Sequence, residues 1–542
     1  MPESTSPPSE QASPGLNINA AHVVGCLLLA VLFLVLNFQP LYYSDLWGHV
    51  GYGLWILHNG QIPAEDPFAP LVAGEKIIDS AWLAQVLLGA VMEFGGAEWL
   101  SHLYAATMTV AMVLLGYALA IRSKNTPLVI VGTTLVVVFG WFRIAVIRPE
   151  MFGMLCFALL LLLAAILERA AAAGRSIRAC WWLFAVIAIT FVIWANCHGS
   201  FVVGIVLLGT LLVARAGEVL WQQRSGKALV ADASLRCWLA ATLLAGGASL
   251  VNPYGIGLFV NSLTFGRNPN LQDMTEWSAM QWGQLQTYYM LFCTVTFLAV
   301  AIVNRQRLRV TDVLLMVVFS IFLLRYVRMG FWYESVFAYV VTPLVAGMFA
   351  RESDSAHPPN AVTMERRQKM SQVMGLVCIL VVAAAFALSP LGRSILGRPP
   401  RPPQQLVASG TPLLATEFLL DHPPEGQVYN PQWWGDWLAL AGPRGLKVFL
   451  TTNTVHVAPS ELWKDYIAVA QLAPGWQQTL EKYDVTTIIS DKQRMSGLSA
   501  ELRKLPGYQI VYEDNVAIIA TKEELIPPPE DQNADSGDSS AS

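Results

Sequence analysis

The chain has 542 residues, of which 54% are hydrophobic and 13% charged, with a formal net charge of −4 and a mean hydropathy of +0.47. An ordinary soluble domain carries roughly 25% charged residues, and no soluble fold hides this much apolar surface, so a soluble enzyme, a disordered chain and a disulfide scaffold are all excluded. The near-neutral, slightly acidic balance leaves no basic footprint for nucleic acid. This is the composition of an integral membrane protein.

Residues 1–19 are rich in Ser and Pro and hold no Lys or Arg, which predicts a short disordered tail rather than a signal peptide. The apolar run Ala20–Phe38 is long enough to span at 1.5 Å per residue. Further spans are expected near Trp99–Ile121, Pro127–Phe142, Pro149–Leu167, Trp181–Ala195, Ser200–Val219, Trp238–Val251, Tyr289–Val303, Val310–Leu324, Gly330–Phe349 and Val373–Leu388. The seven cysteines, from Cys26 to Cys378, lie in or beside these runs at irregular spacing and read as small packing residues.

The basic residues alternate between the connections. One set of loops holds Arg122, Lys124, Arg169, Arg175, Arg178, Arg215, Arg224, Lys227, Arg236, Arg305, Arg307, Arg309, Arg351, Arg366, Arg367 and Lys369, and the other only Lys76, Arg143, Arg148, Arg267, Arg325 and Arg328. The positive-inside rule makes the first set cytoplasmic, with the N-terminus inside and the C-terminal region outside. The external loop 39–98 is acidic and too long for a mere connection. It contains a helical stretch, Asp45–His58, closed by Asn59-Gly60 as a C-cap, and a second amphipathic stretch, Ser80–Phe94.

A Pro-rich linker over 391–410, stiffest at Arg398-Pro-Pro-Arg-Pro-Pro403, closes the membrane domain of 20–390. Residues 411–525 read as an extracytoplasmic α/β domain. Strands are expected at Gln427–Asn430, Lys447–Thr451 and Thr486–Ser490, with a hairpin of Tyr508–Tyr512 and Val516–Thr521 turning at Asp514-Asn515. Helices are expected at Pro412–Asp421, Ser460–Gln471, Gly475–Tyr483 and Met495–Lys504. The tail over 526–542 is acidic, Ser-rich and predicted to be disordered.

Polar residues at membrane depth or on the sparsely charged face are the candidates for chemistry. Asp45 and His49 share one helical face at i, i+4 if Ser44 caps the helix, although an Asp in a first turn also simply complements the helix dipole. Arg143, Arg148, Arg325 and Arg328 run against the charge trend. They either snorkel to headgroups or fork onto an anionic ligand such as a lipid phosphate. Arg325 and Arg328, three apart, are expected on one helical face, and Arg148-Pro-Glu150 opens a span with Pro suited to the first helical position. Asn196 and His198 lie where two spans meet with almost no loop, and a helix-end hydrogen bond is their alternative role. Asn252, in Asn252-Pro-Tyr-Gly255, marks a turn, and Glu276 lies on another external loop that could meet the same surface. No Walker loop, dinucleotide fingerprint, HExxH motif or nucleophile elbow is present in a convincing context.

Together these features resemble the GT-C superfamily of membrane glycosyltransferases: about eleven spans, Asp45 just past the first of them, a long acidic external loop and an external C-terminal domain. The runs Asp45-Leu-Trp-Gly-His49, Gly60-Gln-Ile-Pro-Ala-Glu-Asp-Pro-Phe68, Trp82-Leu-Ala-Gln85, Arg148-Pro-Glu150, Asn196-Cys-His-Gly199, Asn252-Pro-Tyr-Gly255, Tyr429-Asn and Trp434-Gly-Asp-Trp437 are similar to a bacterial group within it. The fold class so implied is a polytopic α-helical membrane protein of GT-C type with an extracytoplasmic α/β domain, placed in the cell inner membrane. Two departures stand out. The Asp-Glu pair of mannosyltransferases is Asp45-Leu46 here, and an Asp-Gly-Arg of the group is replaced within Leu450-Thr-Thr-Asn-Thr454.

The resemblance implies transfer of a sugar, with inversion, from a polyprenyl-phosphate donor to a glycan, lipid or protein acceptor, with membrane lipids as surroundings and no nucleic acid. Asp45 is then the general base, with His49 and Asp66 as helpers. Arg143, Arg148, Arg325 and Arg328 hold the phosphate, and Glu150, Asn196, His198, Asn252 and Glu276 complete the substrate site. Metal dependence varies across the superfamily, and no decisive ligand set is visible. The rival reading is a non-catalytic transporter or envelope-assembly scaffold that displays its α/β domain. Transporters more often bury ionisable groups in mid-span and repeat their halves.

Overall fold

A bilayer core offers no water to backbone N–H and C=O groups, so an apolar run of span length closes its hydrogen bonds along a helix. In a computed structural model, which describes residues 17–42, 45–175, 178–349 and 361–526, all eleven apolar runs are helical. They are Ala20–Phe38, Ala97–Ser123, Thr126–Phe139, Glu150–Ala172, Trp181–Cys197, Phe201–Gln223, Ala233–Ala248, Leu285–Val303, Val310–Arg325, Gly330–Phe349 and Ala361–Leu388. Among the described residues, seven helices are long and apolar enough to cross a membrane by length and composition. The tail over 1–16, the expected Ser44 cap, Arg351 and the acidic tail from 527 onward lie outside the described residues.

The chain divides into two compact units: Met1–Leu41, Ser80–Arg267 and Gln272–Leu406 form the first, and Tyr42–Asp79, Asn268–Leu271 and Val407–Ser542 the second. In the first unit the Glu150–Ala172 and Gly330–Phe349 helices are the most buried, and Glu150–Ala172 packs most extensively on Ala97–Ser123. Small residues let helices associate closely without a hydrophobic drive: at Gly153 of the Glu150–Ala172 helix even a methyl group would overlap Ser200 Oγ, just before the Phe201–Gln223 helix. At one end of the bundle, Arg122 and Arg309 clamp Glu168 and Asp312. Arg122 meets Glu168 at 2.5 Å and Asp312 at 3.4 Å, and Arg309 meets Asp312 at 3.0 Å and also pairs with Glu168. Exposed Trp181, Trp182 and Trp221 lie toward that end, and Phe94 and Trp282 toward the other, as expected of residues that favour membrane interfaces.

The Pro-rich connection is held down rather than swinging. Arg401 forks onto Glu98, with Nε at 2.8 Å and Nη2 at 2.9 Å, and caps the carbonyls of Asn37 and Phe38. A planar guanidinium suits that combination of carboxylate and helix C-terminus.

The second unit carries a five-stranded sheet in the order β2-β1-β3-β5-β4, with β1 Gln427–Tyr429, β2 Lys447–Val448, β3 Val485–Asp491, β4 Tyr508–Glu513 and β5 Ala517–Lys522. β1 pairs in parallel with β2 and β3, while β5 runs antiparallel to β3 and β4. Central β3 is buried along its whole length, matching the apolar, β-branched run in its sequence. Asp514 makes the hairpin turn by accepting from the N–H groups of Val516 and Ala517. The helices Leu413–Asp421, Ser460–Ala470, Trp476–Lys482 and Ser496–Glu501 fall where expected. Gln432–Ala441 is a further helix, hidden in the sequence because its Trp-Trp-Gly-Asp-Trp run has no helical period. Leu46–Asn59, capped by left-handed Gly60, packs against it. Gly48 permits that approach, since a side chain there would overlap Asp436 and Asn453.

Candidate functional site

Four segments of the first unit bring charged groups to one place. Arg143 lies on the turn Trp141–Ile144, Glu150 opens its span behind Pro149, and Arg148 immediately precedes Pro149. Glu276 sits on the 3-10 turn Thr275–Trp277, and Arg328 on another, Val327–Met329. Two backbone hydrogen bonds, Met280 N to Leu324 O and Val327 N to Ser278 O, fasten those last two segments together.

Arg143 reaches both acids: Nη1 donates to Glu276 at 2.7 Å, and Nη2 donates to Glu150. Arg148 Nη1 meets the same Glu276 oxygen at 2.7 Å. Arg328 stands 3.8 Å from each glutamate and stacks its guanidinium 4.0 Å over the Trp277 ring. Burial alone would raise the Glu276 carboxyl, but Arg148, Arg143 and Arg328 outweigh it and hold it well below the usual carboxylate range. The Tyr104 hydroxyl, on a residue 2% exposed, lies within the electrostatic reach of Arg143, Glu150 and Arg148. It has no hydrogen-bond partner among the described residues, and neither has Arg143 Nε. Sequence reasoning missed Tyr104, which reads as one more aromatic in a span.

The other candidates of this unit sit around that cluster. Ser200 donates its backbone N–H to His198 Nδ1 at 3.1 Å, and Trp194 Nε1 donates to Ser200 Oγ at 3.0 Å. His198 lies within electrostatic reach of Glu150. Asn196 accepts from Trp82 Nε1 at 2.8 Å and donates to the carbonyls of Val192 and Val251, so it ties helix ends together. Asn252 closes its own turn, donating to the Ser249 and Gly255 carbonyls and accepting from Tyr254 N. The expected shared face of Arg325 and Arg328 does not form. The helix ends at Arg325, Tyr326 is extended, and Arg325 lies exposed over the Tyr326 ring while Arg328 turns inward.

In the second unit Asp45 directly precedes the Leu46–Asn59 helix, and its carbonyl accepts from His49 N at 3.0 Å. Asp66 is spent on local structure: Oδ1 accepts from Phe68 N and Ala69 N at 2.7 and 2.9 Å, and Oδ2 accepts from Tyr52 OH. Burial nonetheless raises its pKa. The fold adds Asp436, which sequence reasoning did not single out. Burial, then the charges of Asp45 and Asp66, raises its pKa to about 8, against a hydrogen bond from Thr452. It adds His456 as well, whose pKa falls to about 4 through burial and the neighbouring His49. Asn268 and Asn270 donate to the carbonyls of Val455, His456 and Ala458, fixing the loop that carries this histidine. Among the described residues no group of three or more His, Cys, Asp or Glu side chains could hold a metal ion.

No protein-family model matches the chain, and no curated protein matches it. Solved structures do. Archaeal oligosaccharyltransferase AglB from Archaeoglobus fulgidus, in complex with an inhibitory peptide and a dolichol-phosphate, superposes with a TM-score of 0.52 at 13% identity over 94% of this chain and 75% of that one. The apo form of the Archaeoglobus fulgidus enzyme gives 0.51 at 12% identity over the same shares. The form tethered to an acceptor peptide containing the NVT sequon gives 0.50 at 13% over 93% and 74%. The fold is therefore that of these oligosaccharyltransferase structures, a multi-pass helical bundle with a C-terminal sheet-containing domain.

Proposed function

We propose that this protein is a GT-C-type glycosyltransferase that takes a sugar from a lipid-phosphate donor in the membrane and transfers it to an acceptor hydroxyl outside the cytoplasm. The observation that carries this reading is the convergence of Arg143, Arg148 and Arg328 around Glu150 and Glu276, with the Tyr104 hydroxyl and Arg143 Nε beside them lacking hydrogen-bond partners among the described residues. Guanidinium groups gathered in a largely buried place favour an anion. Stabilising a departing phosphate is the electrostatic work such donors do best.

In the proposed reaction the acceptor oxygen attacks the anomeric carbon from the face opposite the phosphate. The new C–O bond forms as the bond from C1 to the phosphate oxygen breaks, the phosphate leaves with the electron pair, and the acceptor proton passes to a carboxylate. Asp45 is the carboxylate proposed for that role. Asp66 is less suited, because both its oxygens already accept hydrogen bonds from Tyr52, Phe68 and Ala69. Arg325 is exposed and contributes little.

Mass spectrometry of lipid copurified with the full chain tests the reading. A phosphate-linked isoprenoid sugar should accompany the wild type and be depleted in Arg148→Gln and Arg328→Gln proteins of normal thermal stability. Ordinary phospholipid alone in all three preparations would refute it.

A further inference from the structure

We infer that Cys26 and Cys378 form a redox-active thiol pair in the first unit, which a lipid-soluble quinone oxidises to a disulfide through the cavity that Cys26 lines.

The pair follows from how the first and last apolar helices pack. Ala20–Phe38 and Ala361–Leu388 lie side by side. The Ile18 N–H donates to Ser371 Oγ at 2.7 Å, an offset of 353 residues, and the Cys26 thiol donates to the Cys378 carbonyl at 3.6 Å, an offset of 352. Near-constant offsets mean that the two helices run parallel, in one register. The two thiols also share a side-chain hydrogen bond. A disulfide needs its sulfurs about 2.05 Å apart, and side-chain rotation covers what remains.

Accessibility sets this pair apart. Of the seven cysteines, Cys26 and Cys378 are half-buried and the other five are buried. Cys156 with Cys197, and Cys180 with Cys237, also lie within electrostatic reach of each other, but none of these four is more than 7% exposed. Cys26 instead lines a cavity of about 920 Å³ between Ala20–Phe38, Ala97–Ser123, Thr126–Phe139 and Ala361–Leu388. Val31, Val110 and Tyr117 in its lining are exposed, so the cavity opens on the apolar surface of the bundle. Such a lining admits a lipid-soluble oxidant and disfavours an ionic one.

His22 lies one turn before Cys26, on the same helical face and in the same lining. It can take the thiol proton, and the thiolate is the reactive form. Two S–H bonds break and one S–S bond forms, and the two protons and two electrons pass to the quinone, which leaves as the quinol. Cys26 lies about 9 Å along its helix from Ala20, in an apolar place that the water-soluble thiols reducing other disulfides do not enter. The new bond ties the two helices between the Ile18–Ser371 hydrogen bond at one end and the Arg401 contacts with the Asn37 and Phe38 carbonyls at the other.

The test uses the full chain, one copy per phosphatidylcholine nanodisc, reduced and then freed of reductant without oxygen. Decylubiquinone is the oxidant, and the remaining thiols are counted by alkylation after denaturation. Wild type should fall from seven free thiols to five, with one quinol formed per disulfide, and mass spectrometry of unreduced peptides should find Cys26 joined to Cys378. Cys26→Ala and Cys378→Ala proteins should each keep all six of their thiols. Seven thiols in wild type after decylubiquinone overturn the inference, as does a disulfide between any other pair or the loss of two thiols in either variant. Copper–phenanthroline, run in parallel, locates the fault. If it joins Cys26 to Cys378 where the quinone does not, the quinone assignment falls, and if it also fails, the pairing itself falls. If a variant does not fold, the wild-type count and the linked peptide decide alone. None of these outcomes bears on the donor reading, whose own test is the copurified lipid.

Discussion

Asparagine at Asp436 isolates the electrostatic load of the second unit. The carboxyl is 2% exposed, and burial together with the Asp45 and Asp66 charges raises its pKa to about 8, against about 3.9 in an unfolded chain. Between those values the folded unit holds a proton that the unfolded chain releases. A carboxyl raised in this way contributes fully to stability below the unfolded pKa, and the contribution is lost as pH rises from about 4 through about 8. The slope is at most about 1.4 kcal/mol, or a factor of about ten, per pH unit. Asp436→Asn removes the titration but keeps an oxygen for the Thr452 N–H, which donates to Asp436 Oδ2 at 3.2 Å. Its amide can also donate to the neighbouring carboxylates. Hydrogen exchange of the β3 amides in the full chain, corrected for intrinsic rates, reads the effect at pH 5, 6.5 and 8. Protection in the wild type should fall as pH rises, and protection in the variant should stay nearly level. Parallel pH profiles for the two proteins would refute the reasoning.

Arg143→Lys should destabilise the first unit by about 2–3 kcal/mol and reduce the copurified lipid-phosphate sugar, because one ammonium cannot serve Glu150 and Glu276 together; an unchanged thermal midpoint would contradict that bridging role. Asp45→Asn should lower glycosyl transfer by about 10²–10⁴-fold with donor binding retained, as expected for loss of a general base, and near wild-type turnover would remove Asp45 from that role. Asp66→Asn should instead show its main loss in thermal stability, since this side chain holds Tyr52 and the Phe68–Ala69 turn. For orientation, cysteine placed at Ser409 should label from outside intact cells and at Ser225 only after permeabilisation; the reverse pattern would invert the topology.

Rules of short range settled much of this protein from sequence. The eleven apolar runs became helices because hydrocarbon leaves the backbone no other partner. Gly60 ended its helix because a left-handed residue was needed there, and β3 was legible as a strand from its β-branched run over Thr486–Ser490. Arg143, Arg148, Glu150, Glu276 and Arg328 could be named singly, as charges in unexpected places. Their assembly into one site could not be foreseen, since Arg148 and Glu276 are 128 positions apart and no periodic pattern reaches that far. The same holds for Asp436, whose raised pKa comes from burial and from carboxylates hundreds of residues away in the chain, and for Arg401, which turns a proline-rich connection into a fixed clasp on Glu98. Local sequence specifies where a chain may bend and what it must bury. Which charges then share a low-dielectric space is decided only by the packing of segments far apart in sequence.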